Sequence, residues 1–262
     1  MSTENPDTAV VDYAARTRLD GRTVLVVGAG QGIGLETSRA AAALGAHVIC
    51  LDLDRGLAEA AAAETGGTAK AADVTSRADV ERLFGEIEAE FGRIHGIADI
   101  IGASQLTPID EYADEDWERA LRLNLTQAFY VLQLGARVMT DGGSIVFVGS
   151  VSGLRSAPQH AAYGAAKAGL LNLVRSAAVE YGPRVRVNAV SPGQIRTPRM
   201  QERHRDDGFY EYWTERTPLG RPGEPSDIAS ALMFFLTDQS AWVSGEALLV
   251  DGGTAKRFVY AS

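Results

Sequence analysis

The chain has 262 residues, 45% hydrophobic and 23% charged, with 25 basic against 34 acidic side chains and a formal charge of −9. That acidic balance argues against a nucleic-acid surface, which needs clustered basic residues, and no apolar run reaches the roughly 18 residues of a membrane span. Cys50, the only cysteine, excludes an intrachain disulfide and, within the apolar run HVICL, reads as a buried small hydrophobe.

Residues 1–18, MSTENPDTAVVDYAARTR, lack a basic start followed by an apolar stretch. They read as a polar tail or arm rather than a secretory signal, and the expected location is the cytoplasm. From residue 22 onward, strand-like and helical segments alternate. RTVLVVG (22–28) is the first expected strand and 32–44 the first helix. AHVICLD (46–52) follows as a strand, then a helix through RGLAEAAAAE. A weak strand lies near 68–72, and a helix runs from Ser76, its expected N-cap, to Phe91. IHGIADII (94–101) is a further strand, 114–138 a long helix, and SIVFVG (144–149) a strand. A helix carrying Tyr163 extends to about 181, VRVNAV (185–190) is the next strand, and a helix near 226–237 precedes the strand EALLVD (246–251).

Continuously apolar strands separated by helices indicate a parallel sheet covered on both faces. The expected fold class is therefore α/β, a doubly wound parallel sheet in three α/β/α layers. One domain is expected over 19–262, since linkers and repeats are lacking. The proline-rich interval 191–225 breaks the alternation, and the part at about 194–222 is expected to be a lid or binding loop.

Two constellations carry chemistry. VGAGQGIGLE places Gly28, Gly30, Gly32 and Gly34 between a strand and a helix. Glycines there allow a tight turn and close backbone approach, and the helix N-terminus favours a phosphate. Asp52 ends the next strand, where a carboxylate can accept hydrogen bonds from ribose hydroxyls and repel a 2′-phosphate; Gln31 brings the turn no positive charge. These features favour NAD over NADP. The second constellation is YGAAK, Tyr163 to Lys167, which stacks a phenol and an ammonium on one helical face. A tyrosine with a pKa of about 10 is a poor base at neutral pH. An ammonium about 4 Å away, worth on the order of 4 kcal/mol at an effective dielectric of about 20, would bring it towards neutrality. Ser150, thirteen residues before Tyr163 at the end of a strand, offers a hydroxyl to a substrate oxygen.

Together, the glycine turn, Asp52, Ser150, Tyr163 and Lys167 resemble the short-chain dehydrogenase/reductase family in its shorter single-domain form, a Rossmann fold, from about Leu19 to Gly253. The resemblance implies hydride transfer between a secondary alcohol or its ketone and NAD. In that reading Tyr163 is the general acid/base, Lys167 lowers its pKa and binds the nicotinamide ribose, and Ser150 orients the substrate oxygen. Asn124, in DWERALRLNL, holds a water that links Lys167 to solvent. Cofactor contacts are implied at Gly28, Gln31, Gly32, Ile33 and Gly34, at Asp52 and Leu53, at Asp73 and Val74 of DVT, and at Gly102. Tyr163, Lys167, Pro192, Gly193, Ile195 and Thr197 complete that set, the last four from NAVSPGQIRTP. No metal site is expected.

The chain departs from the family at two turns. Val27-Gly28 stands where the family has Thr-Gly, and Asp99-Ile100-Ile101-Gly102 where it has Asn-Asn-Ala-Gly. An apolar contact between Val27 and Ile101 is expected to replace the polar tie, with Ile101 also a candidate to crowd the cofactor ribose. Candidate substrate residues are Ser150, Ser152, Gln159, Gln194, Tyr210 and Trp213, with Leu154, Phe209 and Tyr212 beside them. The mix, neither strongly cationic nor uniformly apolar, suits a medium-sized, partly polar alcohol or ketone. A 3-oxoacyl thioester on a carrier is the enzymatic alternative, and a dinucleotide-sensing scaffold the non-enzymatic one; in an enoyl reductase the tyrosine and lysine are spaced further apart. The resemblance also implies a homotetramer or homodimer, to which the tail with Phe258 and Tyr260 is a candidate contributor.

Overall fold

In the computed structural model, residues 10–139, 142–205 and 208–256 are described. Seven strands alternate with helices along the chain: β1 Thr23–Val27, β2 His47–Asp52, β3 Thr68–Ala71, β4 Gly96–Asp99, β5 Gly143–Val148, β6 Val185–Pro192 and β7 Ala247–Val250. They form one parallel sheet in the order β3-β2-β1-β4-β5-β6-β7. The order reverses between β1 and β4, which opens a crevice at the C-terminal ends of the strands, the usual place for a ligand in such sheets.

The helices divide between the faces as the strand pleat requires. Leu25 and Val27 of β1 join a core under α3 (Arg77–Phe91), α5 (Gln127–Val138) and α6 (Ala161–Tyr181). Val24 and Val26 point the other way, under α1 (Gly32–Ala43), α2 (Arg55–Thr65) and α9 (Pro225–Leu236). Alternate residues of each strand enter opposite cores, so both faces must be apolar and the strands read as unbroken apolar runs. Cys50 is fully buried in the second core, as its sequence context suggested.

Helix ends follow local chemistry. The Asp54 carboxylate accepts from the backbone N–H groups of Gly56 and Leu57, and the Ser76 hydroxyl from that of Asp79, satisfying N–H groups that the first turn leaves unpaired. The long helix expected at 114–138 is present but not uniform: α4 (Asp114–Leu121) passes into α5 through a π-helical segment, Arg122–Thr126. Such wide turns are rare and concentrate at functional sites; this one contains the fully buried Asn124. The interval expected to be a lid holds two short helices that propensity did not announce, α7 (Pro198–Arg203) and α8 (Phe209–Arg216). Phe258 and Tyr260 lie outside the described residues.

The departures at the two turns resolve by sheet face. The Ile100 N–H donates to the Val27 carbonyl at 3.0 Å, so backbone ties β1 to the segment after β4. Ile101 packs on the core that contains Val27, and its Cδ1 lies 2.8 Å from where a Cβ on Gly28 would stand. Ile100, not Ile101, faces the cavity described below, which corrects the expectation that Ile101 would crowd the cofactor. Trimming Ile101 to alanine is expected to destabilise the fold near the lower end of the roughly 2–5 kcal/mol of a buried aliphatic truncation, because Ile101 is only partly buried. An unchanged urea unfolding midpoint would show that the contact carries no weight.

Candidate active site

The glycine turn is shaped by contacts that no side chain would permit. A Cβ on Gly34 would run into the Gly28 carbonyl, and one on Gly30 would stand 2.7 Å from Asp52 Oδ2 and 2.6 Å from Leu57 Cβ. Gly28 and Gly32 have φ of +86° and +56°, a region that favours glycine. The turn hangs from β2, as the Gly28 and Ala29 N–H groups both donate to the Leu51 carbonyl. Gln31, the residue preceding α1, makes no side-chain cap, so the first N–H groups of that helix stay available to an anion. Asp52 closes the other side: Oδ2 accepts from Gly30 N–H at 2.9 Å and Oδ1 from Asp54 N–H at 3.1 Å. The result is a glycine-lined cradle of backbone N–H groups with a carboxylate held beside it. Leu53 next to it is exposed. Asp73 and Val74 follow β3 on the same sheet edge; Asp73 Oδ1 is engaged by the Thr75 N–H and hydroxyl, and Val74 is buried.

A cavity of about 350 Å³ opens on the crevice, within the usual range for a small-molecule site. Ile33 from α1, Gly102 after β4, Ser150 and Ser152 after β5, Tyr163 and Lys167 from α6, and Pro192, Gly193, Gln194, Ile195 and Thr197 after β6 all line it. Trp213 and Phe209 of α8 form part of its outer wall. Three of the substrate candidates, Gln159, Leu154 and Tyr210, are elsewhere. Gln159 and Leu154 line a neighbouring depression, and Gln159 carries the 64° φ of a tight turn, its carbonyl accepting from Thr107 N–H. Tyr210 lines a separate depression on the lid, its ring beneath the Arg196 guanidinium at 4.8 Å. Only one face of the two-turn helix α8 can meet the cavity, and Phe209 and Trp213, one turn apart, take it. Tyr212 is half exposed.

The structure also brings in side chains that sequence reading passed over. Arg199, Arg203 and His204 line the cavity with Met200; the two arginines are four residues apart on α7, the spacing that would have shown a shared face had the helix been foreseen. His160 lines it too, edge-on to Tyr163 at 6.3 Å. The pocket wall is thus more basic than the sequence suggested.

At the centre, Lys167 is buried and its Nζ donates to the carbonyls of Val148 at 2.7 Å and Ile101 at 3.4 Å. It lies 5.9 Å from the Tyr163 ring centroid. Burial pushes the Tyr163 phenol above its ordinary value, opposed by the Ser150 hydroxyl facing it and by the Arg199 charge. Ser150 Oγ also accepts from Ser152 N–H at 3.1 Å, which fixes its direction. Asn124 clamps the segment after β4: Oδ1 accepts from Ala103 N–H at 2.9 Å, and Nδ2 donates to the Ala103 and Ala120 carbonyls. Gly102 leaves room for both, since a Cβ there would lie 2.7 Å from Lys167 Nζ and 2.9 Å from Asn124 Oδ1.

A parallel sheet with a glycine-shaped phosphate cradle beside a serine, tyrosine and lysine cluster defines a dinucleotide-dependent oxidoreductase. The comparisons agree. The family described as enoyl-(acyl carrier protein) reductase matches residues 28–255. The chain is 39% identical over 248 residues to 2-(S)-hydroxypropyl-CoM dehydrogenase 3 of Xanthobacter autotrophicus, covering 90% of this chain and 97% of that protein. It is 36% identical over 251 residues to the L-tagatose-forming galactitol 2-dehydrogenase of Cereibacter sphaeroides, covering 93% and 98%. Among solved structures, a 7α-hydroxysteroid dehydrogenase complexed with NADH and 7-oxo glycochenodeoxycholic acid superposes with a TM-score of 0.87 at 30% identity, covering 93% of this chain and 98% of that one. The chain belongs to the short-chain dehydrogenase/reductase family, as an oxidoreductase acting on CH–OH groups with a nicotinamide dinucleotide.

Replacing Gly30 with alanine should displace the Asp52 carboxylate or Leu57 and weaken nucleotide binding by about tenfold or more, the equivalent of roughly 1.4 kcal/mol. Calorimetric titration checks this; undiminished affinity would show that the cradle is not the nucleotide site.

Proposed function

We propose that this chain is an NAD(H)-dependent dehydrogenase/reductase that interconverts a secondary alcohol and its ketone, with Tyr163 as general acid/base. The observation that carries the reading is the convergence of the Ser150 hydroxyl, the Tyr163 phenol and the Lys167 ammonium in the cavity onto which the α1 turn opens. A nicotinamide bound there would supply or accept the hydride; the chain's own residues bind, orient and move the proton. Ser150, held by Ser152 N–H, positions the substrate oxygen towards the phenol. The phenol, kept protonated by burial, is ready to give its proton to a carbonyl oxygen, and takes it back in the oxidative direction. Lys167 supplies the positive charge that stabilises the phenolate formed on donation, and Asn124 holds the strand segment that frames it.

The choice of NAD rests on Asp52. Its carboxylate is fixed against the turn at Gly30, so a 2′-phosphate there would meet a negative charge. The basic side chains on α7 favour an alcohol with polar or anionic substituents over a purely apolar one. The same cluster supports turnover over a scaffolding role. Assembly through β7 is supported by the exposed Trp242 and Leu248, together with Val179 on the adjoining end of α6, where Gly245 approaches Ala178.

Two measurements check the reading. Tyr163→Phe is expected to bind NADH as the parent chain does while losing about 10²–10⁴-fold in turnover; a variant as active as the parent would remove Tyr163 from the mechanism. In matched fluorescence titrations NADH should bind more tightly than NADPH, and the reverse order would overturn the role of Asp52.

A further inference from the structure

Asp99 is a carboxylate that the mechanism above does not use. It ends β4, in register with Val27 of β1 and Phe147 of β5, and is 1% exposed. Its Oδ1 accepts from Ile101 N–H at 3.0 Å; Oδ2 is buried with no close hydrogen bond, the Gln127 side-chain amide being the polar group beside the carboxylate. Ile101, whose N–H holds Asp99, also presents its carbonyl to Lys167 Nζ, and the second carbonyl on that ammonium belongs to Val148, next to Phe147. An acid and a base thus sit on the same pair of strand ends, both out of water. The Oε1 of Gln127, also buried, has no donor either.

We propose that Asp99 is the buried counter-ion of Lys167, a positioning residue that keeps the lysine protonated in the neutral range, so that the pair rather than Lys167 alone fixes the pH window of the site.

The neighbouring elements supply no competing charge. α6 brings Lys167 itself and the Tyr163 phenol one turn earlier. The π segment and α5 bring the amides of Asn124 and Gln127, and β1 and β5 the apolar Val27 and Phe147. Arg199 of α7 acts on Tyr163. Among the described residues, Lys167 is the charge that acts on Asp99, and Asp99 the charge that acts on Lys167. Burial raises the Asp99 carboxyl to about 6, opposed by the Ile101 N–H, the Lys167 charge and the Gln127 amide. Burial lowers Lys167 to about 8, opposed by the Asp99 charge. Between those values both groups are ionised. Removing the negative charge takes away what holds the ammonium up, so Lys167 loses its proton at a lower pH. Removing the ammonium takes away what holds the carboxyl down, so Asp99 takes up its proton at a higher pH.

The test uses both directions. In Asp99→Asn, which is isosteric and keeps an oxygen for Ile101 N–H, the alkaline fall in ketone reduction should begin lower by about one pH unit or more. A uniformly slower enzyme with the alkaline limb unmoved would overturn the proposal. Infrared spectra give a readout free of activity. A protonated-carboxyl C=O band titrating near pH 6 should be absent from Asp99→Asn, and should move to higher pH in Lys167→Met. A band that is missing from the parent chain, or unmoved in Lys167→Met, refutes the coupling. That arm decides alone if Asp99→Asn does not fold. The kinetic consequence rests on the role given above to Lys167, whereas the infrared titration does not, so failure of that role and failure of the pair are told apart.

Discussion

Burying the Lys167 ammonium is the constraint around which the site is arranged. Taking such a charge out of water costs several kcal/mol unless hydrogen bonds and a counter-charge offset it. The Val148 and Ile101 carbonyls provide the bonds; Val148 is the last residue of β5 and Ile101 lies just beyond β4. Gly102 and Gly153 make the room. A Cβ on the first would touch Nζ, and one on the second would press on the Lys167 carbonyl at 3.0 Å. Four segments distant in sequence must therefore close together before the lysine can occupy its place.

The same strand ends create the ligand crevice. β1 and β4 diverge in their connections, so the turn after β1 and the segment after β4 lie side by side with no crossover between them. The cradle for phosphate and the cluster for proton transfer consequently share one edge of the sheet. The π segment at Arg122–Thr126 belongs to this arrangement, because its wide turn carries Asn124, and the Asn124 amide clamps Ala103 at both its N–H and its carbonyl. Rigid framing of the inner wall contrasts with the outer wall, which is built from short lid helices and exposed arginines.

That contrast separates the general from the particular in this enzyme. The inner wall handles a hydroxyl or a carbonyl and makes few demands on the rest of the substrate. In the function proposed above, the choice of alcohol falls to the outer wall, where Arg199, Arg203, Phe209 and Trp213 line the cavity of about 350 Å³. Relatives of similar length act on compounds as different as galactitol and hydroxypropyl-CoM, which fits a conserved chemistry behind a variable door.

The sequence by itself determined the layered fold, because strands buried on both faces must be apolar throughout and the helices between them carry their own caps, as at Ser76. It also determined the Tyr163–Lys167 pair and the glycine turn, since both depend on spacing along one element. Side-chain direction across elements was decided only by the tertiary structure. Sequence set Lys167 one turn from Tyr163; packing decided that its ammonium meets the Val148 and Ile101 carbonyls, because a buried ammonium goes where acceptors converge. Adjacent Ile100 and Ile101 look alike in the chain, yet the pleat turns one to the cavity and the other to the core. Tyr210 and Gln159 seemed as suited to the pocket as Trp213 and Gln194, and only the orientation of α8 and of a tight turn divided them. Local periodicity is written in the chain, whereas burial, charge pairing and the facing of separate elements arise from contacts between residues that sequence distance does not relate.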